Sequence, residues 1–269
     1  MVGCFDGQVA LVTGAASGIG RAIAHALART GALVAIADQN LDAAIQEVAA
    51  IEATGGRAFA VQVDVSNSDQ CENMVAGVVA RTGALHILIH SAGIGLERAF
   101  LETTDEEWLR IIQVDLSGSF YCMRAAGRYM AKAGYGRIVT LASTAGVAGG
   151  TGRGAYGAAK GGVIMLTRVL AVELAERGVT VNTLAPGAIE TELVARMHSA
   201  ETRHNYTAAI PVHRYGTPEE VASAALFLAS EGAGYVTGHV LPVDGGFLAA
   251  GVINRNAGPI PGSDQGSNA

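Results

Sequence analysis

Tyr156 and Lys160 are the residues of this sequence best suited to proton transfer. They lie four positions apart at the start of a helical stretch, so both fall on one helix face. A phenol has an ordinary pKa of about 10 and is a poor base at neutral pH, but a nearby ammonium group stabilises the phenolate. Ser143 follows an apolar run, and its hydroxyl could hydrogen-bond a substrate oxygen. The pattern indicates acid/base chemistry at a substrate hydroxyl.

A glycine-rich turn follows the strand predicted at Val9–Thr13 and leads into a helical stretch. Glycines let the backbone turn tightly and approach a pyrophosphate, which is stabilised at the positive end of the following helix. The spacing is not that of the standard dinucleotide-binding fingerprint, so an ordinary glycine-rich turn remains an alternative for this motif alone. The candidate cofactor contacts in the turn are Gly14, Ser17, Gly18, Ile19 and Gly20.

Asp38 supplies a second indication of a cofactor. It ends the second apolar run, about 20 residues after the glycines, where a carboxylate accepts hydrogen bonds from an adenosine ribose 2′-hydroxyl. A carboxylate repels a 2′-phosphate, and neither Gln39 nor Ser17 brings a cation that would offset the repulsion. The sequence therefore predicts NAD rather than NADP as the cofactor. The alternative is a solvated aspartate at the end of a strand.

The elements that must position these residues alternate along the chain. Short apolar runs rich in Val and Ile, as a sheet covered on both faces requires, are separated by longer amphipathic stretches. This alternation predicts an α/β fold with a doubly wound parallel sheet, the Rossmann fold, in a single domain. The predicted strands are Val9–Val12, Leu33–Ala37, Phe59–Val63, Ile87–Ile89, Ile138–Ala142, Val179–Leu184 and Val240–Val243. The predicted helices are Ile19–Thr30, Leu41–Thr54, Ser68–Thr82, Glu106–Ala133, Ala155–Arg177 and Pro218–Ser230.

Composition and charge narrow the class of protein. Half of the 269 residues are hydrophobic, and the net charge of −6 includes no basic run that would favour nucleic acid. No apolar run reaches the roughly 18–20 residues that cross a bilayer, and the N-terminus lacks a secretion signal. Cys4, Cys71 and Cys122 are widely spaced, which favours reduced thiols over a metal site. We expect a soluble cytoplasmic protein that binds no metal, membrane or nucleic acid.

We expect two regions of unequal size along the chain. Residues 1–250 form the NAD-binding catalytic domain, and residues 251–269 form a tail rich in Gly, Asn and Pro. The tail from Asn254 shows no periodicity, so it is predicted to be a flexible terminus unless a neighbouring subunit orders it.

These motifs resemble the classical short-chain dehydrogenase/reductase family. The ordered set is TGxxxGxG at residues 13–20, then Ser143, then YxxxK at 156–160, then PG at 186–187. The resemblance covers the chain from Gly7 to Gly246. It implies hydride transfer between a secondary alcohol and NAD, with Tyr156 as the acid/base and Ser143 bonded to the substrate oxygen.

The same resemblance implies the remaining cofactor contacts. Asp64 and Val65 flank the adenine, and the backbone of Ile189 with the Thr191 hydroxyl holds the nicotinamide carboxamide. The Lys160 side chain binds the nicotinamide ribose. The further implied contacts are Ser91, Ala92, Gly93, Tyr156, Pro186 and Gly187.

The sequence departs from the family at two positions. His90, before Ser91–Ala92–Gly93, stands where the family reads NNAG, and we expect it to be a satisfied packing residue. Asp115 stands where the family has the asparagine that supports a water relay from Lys160. One interpretation makes Asp115 an ionised group that pairs with Lys160 through water and weakens its pull on the Tyr156 phenol. The other makes its side chain a bystander that faces away.

Three functions from different classes remain open. The leading interpretation is an NAD-dependent dehydrogenase of a sugar, polyol or cyclic secondary alcohol. A 3-oxoacyl thioester reductase is the alternative enzyme. Ser17 and Val172 stand where such enzymes carry basic residues, although Lys132 could supply a second cation of the docking patch. A non-catalytic cofactor-sensing protein is less favoured, because a sensor has no need of an acid/base phenol.

Three stretches are predicted to face the small-molecule substrate: Ile94–Phe100, Thr144–Gly154 and Glu190–Ile210. The last is a candidate lid that could bind hydroxyls or a carboxylate, or could be an ordinary solvated helix. Its polar residues are Arg196, His198, Arg203, His204 and Tyr206.

We expect a homotetramer. Glu106–Ala133 and Ala155–Arg177 carry more apolar surface than one sheet can cover, and the family commonly buries these helices between subunits. Leu241–Val252 is a candidate second contact.

Overall fold

The computed structural model describes residues 4–251 and residue 253, and a seven-stranded sheet lies at its centre. The strand order is β3-β2-β1-β4-β5-β6-β7, and every neighbouring pair is parallel. The chain builds outward from β1 in one direction and then in the other, which makes the sheet doubly wound. This confirms the predicted fold class. The strands are β1 (Val9–Thr13), β2 (Leu33–Asp38), β3 (Arg57–Gln62), β4 (Ile87–His90), β5 (Gly136–Leu141), β6 (Val179–Pro186) and β7 (Val240–Val243).

Helices cover both faces of the sheet, and several begin at side-chain caps. Asn40 and Asn67 each accept a backbone N–H at the start of α2 and α3, and Thr217 begins α9 with a full capping box. The helices are α1 (Gly18–Arg29), α2 (Leu41–Ala53), α3 (Ser68–Thr82), α4 (Asp105–Ile111), α5 (Gly118–Ala133), α6 (Gly154–Leu174), α7 (Glu192–Met197), α8 (Ala200–Ala209) and α9 (Pro218–Ala229).

The core consists of two layers, one on each face of the sheet. On one face, Ile23 and Leu27 of α1 pack with residues of α9 such as Val221. On the other face, α3 and α5 cover the strands and bring the Cys71 and Cys122 sulfurs within 3.6 Å of each other. Central strands are buried on both faces, which explains their unbroken apolar runs. Among the described helices, none has the length and apolar composition needed to cross a membrane.

The structure corrects two element predictions. The helix predicted at Glu106–Ala133 is interrupted, since Ile112–Ser117 forms a π-helical turn between α4 and α5. The candidate lid contains two short helices, α7 and α8, rather than one. The predicted tail, residues 251–269, lies outside the described residues except for Gly251 and Ile253.

The carboxyl ends of five strands meet at one edge of the sheet. Thr13, Asp38, His90, Leu141 and Pro186 are the last residues of β1, β2, β4, β5 and β6. In an open parallel sheet, ligands bind in the crevice outside this edge. The predicted site residues follow these strand ends, so the topology gathers them in one place.

Two glycines set the turns from which β5 and β6 begin, and they offer a stability test. Gly134 and Gly178 are both left-handed, with φ of 72° and 71°. A Cβ at Gly134 meets nothing within 4 Å, whereas a Cβ at Gly178 would collide with the Gly134 carbonyl oxygen. We expect Gly134→Ala to cost about 1 kcal/mol and Gly178→Ala about 3 kcal/mol or more in the free energy of unfolding, measured in urea. Equal losses in the two variants would contradict the collision.

Candidate active site

A cleft of about 640 Å³ opens at the carboxyl edge of the sheet. Every site residue predicted from the sequence lines it, from the glycine-rich turn to Thr191. The structure thus brings together residues that are distant in the chain. The predicted residues on its wall are Gly14, Ser17, Gly18, Ile19, Gly20, Asp38, Asp64, Val65, Ser91, Ala92, Gly93, Asp115, Ser143, Tyr156, Lys160, Pro186, Gly187, Ile189 and Thr191.

The glycine-rich turn leaves its backbone open to a ligand. Gly14 has φ of 62°, and a Cβ there would lie 2.8 Å from the Ala92 Cα, so only glycine fits between β1 and the segment after β4. The Ser17 side chain makes no capping bond to α1, so it leaves the first N–H groups of that helix to an external acceptor. A bare helix N-terminus beside a glycine turn fits the pyrophosphate of a dinucleotide.

The Asp38 carboxylate is fixed in this cleft beside the glycine-rich turn. Its two oxygens accept the backbone N–H groups of Ala16 at 3.1 Å and Asn40 at 3.0 Å. Within the described chain, no lysine or arginine pairs with it; Arg21, which also lines the cleft, pairs with Glu192 at 2.7 Å. The site therefore presents an uncompensated negative charge where the sequence predicts a ribose.

Ser143, Tyr156 and Lys160 come from two neighbouring elements. Ser143 follows β5, and its Oγ accepts the Ala145 N–H at 3.1 Å. Tyr156 lies in the first turn of α6, and the Lys160 Nζ is 5.5 Å from its ring centroid. The same Nζ donates to the Leu141 carbonyl at 3.1 Å, which ties α6 to the end of β5. The arrangement places a hydroxyl, a phenol and an ammonium on one wall.

Asp115 pairs with Lys160 directly. Its Oδ2 lies 3.0 Å from Nζ, its Oδ1 accepts the Ile94 N–H at 2.9 Å, and its side chain is fully buried. The predicted pairing through water is therefore wrong in its geometry, and so is the bystander alternative. The π-helical turn at Ile112–Ser117 carries Asp115, and the Ser119 hydroxyl donates to its backbone carbonyl at 2.6 Å. A π-bulge in a helix is frequently found at a functional site.

The ion pair keeps the buried ammonium charged. Burial lowers the pKa of Lys160, but the negative charge of Asp115 and the neighbouring Tyr156 more than offset it, so the pKa is raised above its ordinary value. Lys160 consequently stays protonated across the neutral range. A Cβ at Gly93 would lie 3.1 Å from Oδ2 and 3.2 Å from Nζ, so a larger residue there would crowd the pair.

His90 lies beside this pair and is not the satisfied packing residue that we predicted. Its Nδ1 is 2.9 Å from the Thr13 hydroxyl, but its Nε2 is buried and has no partner among the described residues. Complete burial, and then the charge of Lys160, lowers the pKa of His90 to about 3. The imidazole is therefore neutral and adds no charge to the site.

Two arginines at or near the cleft were not singled out by the sequence analysis, although Arg153 lies in the predicted substrate-facing stretch Thr144–Gly154. Arg21 links α1 to Glu192 of α7, and Arg153 lies with its guanidinium carbon 5.8 Å from the Tyr156 ring centroid. Neither belongs to a recognisable motif. Both acquire a role only from partners that are distant in sequence.

Comparisons with known proteins agree with this geometry. A family model described as enoyl-(acyl carrier protein) reductase matches residues 14–248. A 3-oxoacyl-[acyl-carrier-protein] reductase of Synechocystis is 43% identical, over 90% of this chain and 97% of the relative. The cis-4-hydroxycyclohexanecarboxylate dehydrogenase of Sinomonas cyclohexanicum is 42% identical, over 91% of this chain and 98% of the relative.

A solved structure extends the likeness to the fold. It comes from Beutenbergia cavernae, is described as an NAD(P)-dependent gluconate 5-dehydrogenase, and has NADP bound. It is 41% identical with a TM-score of 0.87, covering 91% of this chain and 98% of that one.

Replacing Asp115 tests whether its charge reaches the phenol. In Asp115→Asn, Lys160 keeps its acceptor on Leu141 but loses the opposing carboxylate, so while Lys160 is protonated its charge acts on Tyr156 without the opposing negative charge. We expect the kinetic pKa in kcat/KM for oxidation of a secondary alcohol by NAD to move down, because the phenolate is better stabilised. The enzyme stays active, and a pH–rate profile measures the shift.

Ser119→Ala is the matched control for this variant. It removes a buried hydrogen bond to the same residue, at the Asp115 carbonyl, without changing any charge. Its kinetic pKa should match that of the wild type. An unchanged profile in Asp115→Asn would mean that the carboxylate has no influence on the acid/base group.

Proposed function

Because the chain belongs to the classical short-chain dehydrogenase/reductase family, we propose that it is an NAD-dependent dehydrogenase that interconverts a secondary alcohol and a ketone. The observation that carries the proposal is the cluster of Ser143, Tyr156 and Lys160 on the wall of the cleft that also contains the glycine-rich turn. A non-catalytic cofactor-sensing protein has no use for this cluster. A dehydrogenase therefore accounts for more of the site than a cofactor-sensing protein does.

Each member of the cluster has a distinct proposed role. The Ser143 hydroxyl hydrogen-bonds the substrate oxygen and holds it beside the phenol. Tyr156 takes the alcohol proton during oxidation and returns it during reduction. Lys160 favours the phenolate through its charge, which the direct pairing with Asp115 partly offsets. When bound, NAD supplies the hydride acceptor.

The bound cofactor would lie along the residues described above. The N-terminus of α1 and the turn from Gly14 to Gly20 would hold the pyrophosphate, and Asp38 would accept from the adenosine ribose. Asp64 and Val65 would flank the adenine. Lys160 would bind the nicotinamide ribose, and the segment from Pro186 to Thr191 would hold the nicotinamide end.

A sugar, polyol or cyclic alcohol is the proposed substrate class. Two similar proteins bear names of this kind, a hydroxycyclohexanecarboxylate dehydrogenase and a gluconate 5-dehydrogenase. The second candidate is a 3-oxoacyl thioester reductase, which the 43% identical relative favours. Against it, Val172 is 80% exposed and apolar where carrier-protein docking would need a cation.

Assembly as a homotetramer is part of the proposal. Met165, Val169 and Val172 lie on one face of α6 and are each about half exposed or more, and Phe120 of α5 is also exposed. Burial of these apolar side chains against another subunit would stabilise the assembly. A cytoplasmic location fits the free thiols of Cys71 and Cys122, whose sulfurs are neighbours without a disulfide.

Tyr156→Phe tests the proposed acid/base. The variant removes the phenolic proton carrier and, of the implied cofactor contacts, changes only the Tyr156 hydroxyl, so turnover should fall at least about a thousandfold while NADH binding changes little. Tyr129→Phe, which removes only a hydroxyl bonded to the Gly83 carbonyl, is the matched control and should keep its rate. A Tyr156→Phe variant with a tenth of the wild-type rate would exclude this assignment.

Cofactor choice tests the role of Asp38. We expect kcat/KM to favour NAD over NADP by at least about tenfold, which is about 1.4 kcal/mol of carboxylate–phosphate repulsion. Asp38→Asn should reduce that ratio, whereas Asp42→Asn, an exposed carboxylate at the start of α2, should not. Equal efficiency of the wild type with both cofactors would refute the assignment.

A further inference from the structure

Arg153 connects the three segments that the sequence predicts to face the substrate. It is the residue before the first turn of α6, and its guanidinium carbon lies 5.8 Å from the centroid of the Tyr156 ring. Its Nη1 donates to the Leu96 carbonyl at 3.4 Å, and its Nη2 lies 3.3 Å from Nε2 of His198, which follows α7. With a side chain only 12% exposed, Arg153 is a largely buried cation beside the proposed catalytic phenol.

A chain of hydrogen bonds through His198 and Tyr215 orients the Arg153 guanidinium. An arginine can only donate, so the His198 Nε2 must accept from Arg153 and the ring proton must lie on Nδ1. That Nδ1 therefore donates to the Tyr215 hydroxyl at 3.0 Å. Burial, followed by the charge of Arg153, lowers the pKa of His198, which keeps the imidazole neutral. Packing of His198 on the Tyr206 ring, with centroids 5.1 Å apart, holds the imidazole in place.

Arg153 has no carboxylate bound closely through two hydrogen bonds, whereas Arg203 in the lid segment has one. Arg203 binds Glu190 through two contacts of 2.7 and 3.0 Å. Arg153 has one carboxylate contact, 3.4 Å to the Glu97 Oε2, and the Glu97 side chain is 42% exposed. A guanidinium matches a carboxylate best through two parallel hydrogen bonds. Arg153 therefore retains donors for a second carboxylate, and Glu97 can move into solvent.

We propose that Arg153 binds a carboxylate of the substrate, so that the preferred substrates are secondary alcohols that carry a carboxylate, together with the corresponding keto acids. The inference rests on the proposed function and names the substrate class of the same site. The substrate would be held at two points, with its hydroxyl at Ser143 and Tyr156 and its carboxylate at Arg153. Two-point attachment orients the carbinol carbon.

Charge balance favours a carboxylate over a phosphate ester. Close to Arg153, His198 is neutral and Arg203 is paired with Glu190, so the Arg153 guanidinium is the cation that remains for a ligand there, although Arg110 and Arg196 also line the cleft. Glu97 shares that guanidinium at 3.4 Å and adds a negative charge. A phosphomonoester carries up to about two negative charges at neutral pH, more than the Arg153 guanidinium alone can balance. A carboxylate needs only the one guanidinium.

The test compares keto acids with their methyl esters, which have the same carbon skeleton without the charge. Reduction by NADH of 4-oxocyclohexanecarboxylate and 4-oxopentanoate, and of their methyl esters, gives an acid-to-ester ratio of kcat/KM. We expect this ratio to be at least about ten in the wild type, and to fall to about one in Arg153→Gln through loss on the acids. Binding of cyclohexanecarboxylate to the enzyme–NADH complex, measured by calorimetry, should weaken in parallel.

Two further variants separate substrate binding from a structural role. Glu97→Gln removes the competing carboxylate, so it should improve kcat/KM for the acids and leave the esters unchanged. Arg214→Gln, the matched control, breaks a bidentate pair with Glu220 outside the lid segment and should leave the acid-to-ester ratio at its wild-type value. A purely structural Arg153 would affect acids and esters equally and would give Glu97→Gln no selective gain.

The outcomes distinguish this inference from the proposed function. An acid-to-ester ratio near one in the wild type, or a ratio that survives in Arg153→Gln, overturns the inference. Turnover of neutral ketones alone, or of phosphate esters in preference to acids, also overturns it and leaves the dehydrogenase proposal intact. If no alcohol or ketone reacts, the proposed function fails, and the calorimetric binding of cyclohexanecarboxylate still decides whether Arg153 recognises a carboxylate.

Discussion

A buried ammonium group is stable only when nearby polar groups replace its interactions with water. The groups that do this for Lys160 organise the site. Removing such a charge from water costs on the order of several kcal/mol unless partners replace the solvent. Asp115 supplies the opposite charge at 3.0 Å, and the Leu141 carbonyl supplies an acceptor at 3.1 Å. These contacts fasten α6 to the end of β5 and to the π-helical turn at Ile112–Ser117. The position of Tyr156, one turn before Lys160, follows from the same contacts.

Several local features accompany the pairing of Lys160 with Asp115 and with the Leu141 carbonyl. The π-helical turn widens the helix where Asp115 must reach inward, and the Ile94 N–H satisfies its second oxygen. A Cβ at position 93 would lie 3.1–3.2 Å from both charged groups, so a side chain there would displace one or both of them slightly. His90 remains neutral, so the interior beneath the phenol carries one positive and one negative charge. The phenol therefore experiences a dipole rather than an isolated ammonium.

Helices and strands with a clear periodic pattern of apolar residues were predicted from the sequence. Features that depend on contacts between distant parts of the chain were missed. β1 and α3 were predicted to within a residue, since a continuous apolar run and an amphipathic stretch are local signals. The residues 112–117, IQVDLS, contain no glycine or proline, so nothing local distinguishes the π-helical turn from an ordinary helix. Asp115, which the turn carries, pairs with Lys160, far along the chain. Arg21 and Arg153 were not singled out either, because their partners are distant in sequence, whereas every site residue named by the motifs and the family resemblance lines the cleft.

The contact between Arg21 and Glu192 bears on how the lid behaves. It joins α1, at the glycine-rich turn, to α7, and its side chains are 40% and 47% exposed. A solvent-exposed pair of this kind is worth about 1 kcal/mol or less, which biases a two-state equilibrium by no more than about fivefold. The lid segment is also held by the contact of His198 with the Tyr215 hydroxyl and by the packing of Val194 beside Tyr215. The exposed pair with Arg21 is therefore one of several contacts that keep α7 beside the glycine-rich turn.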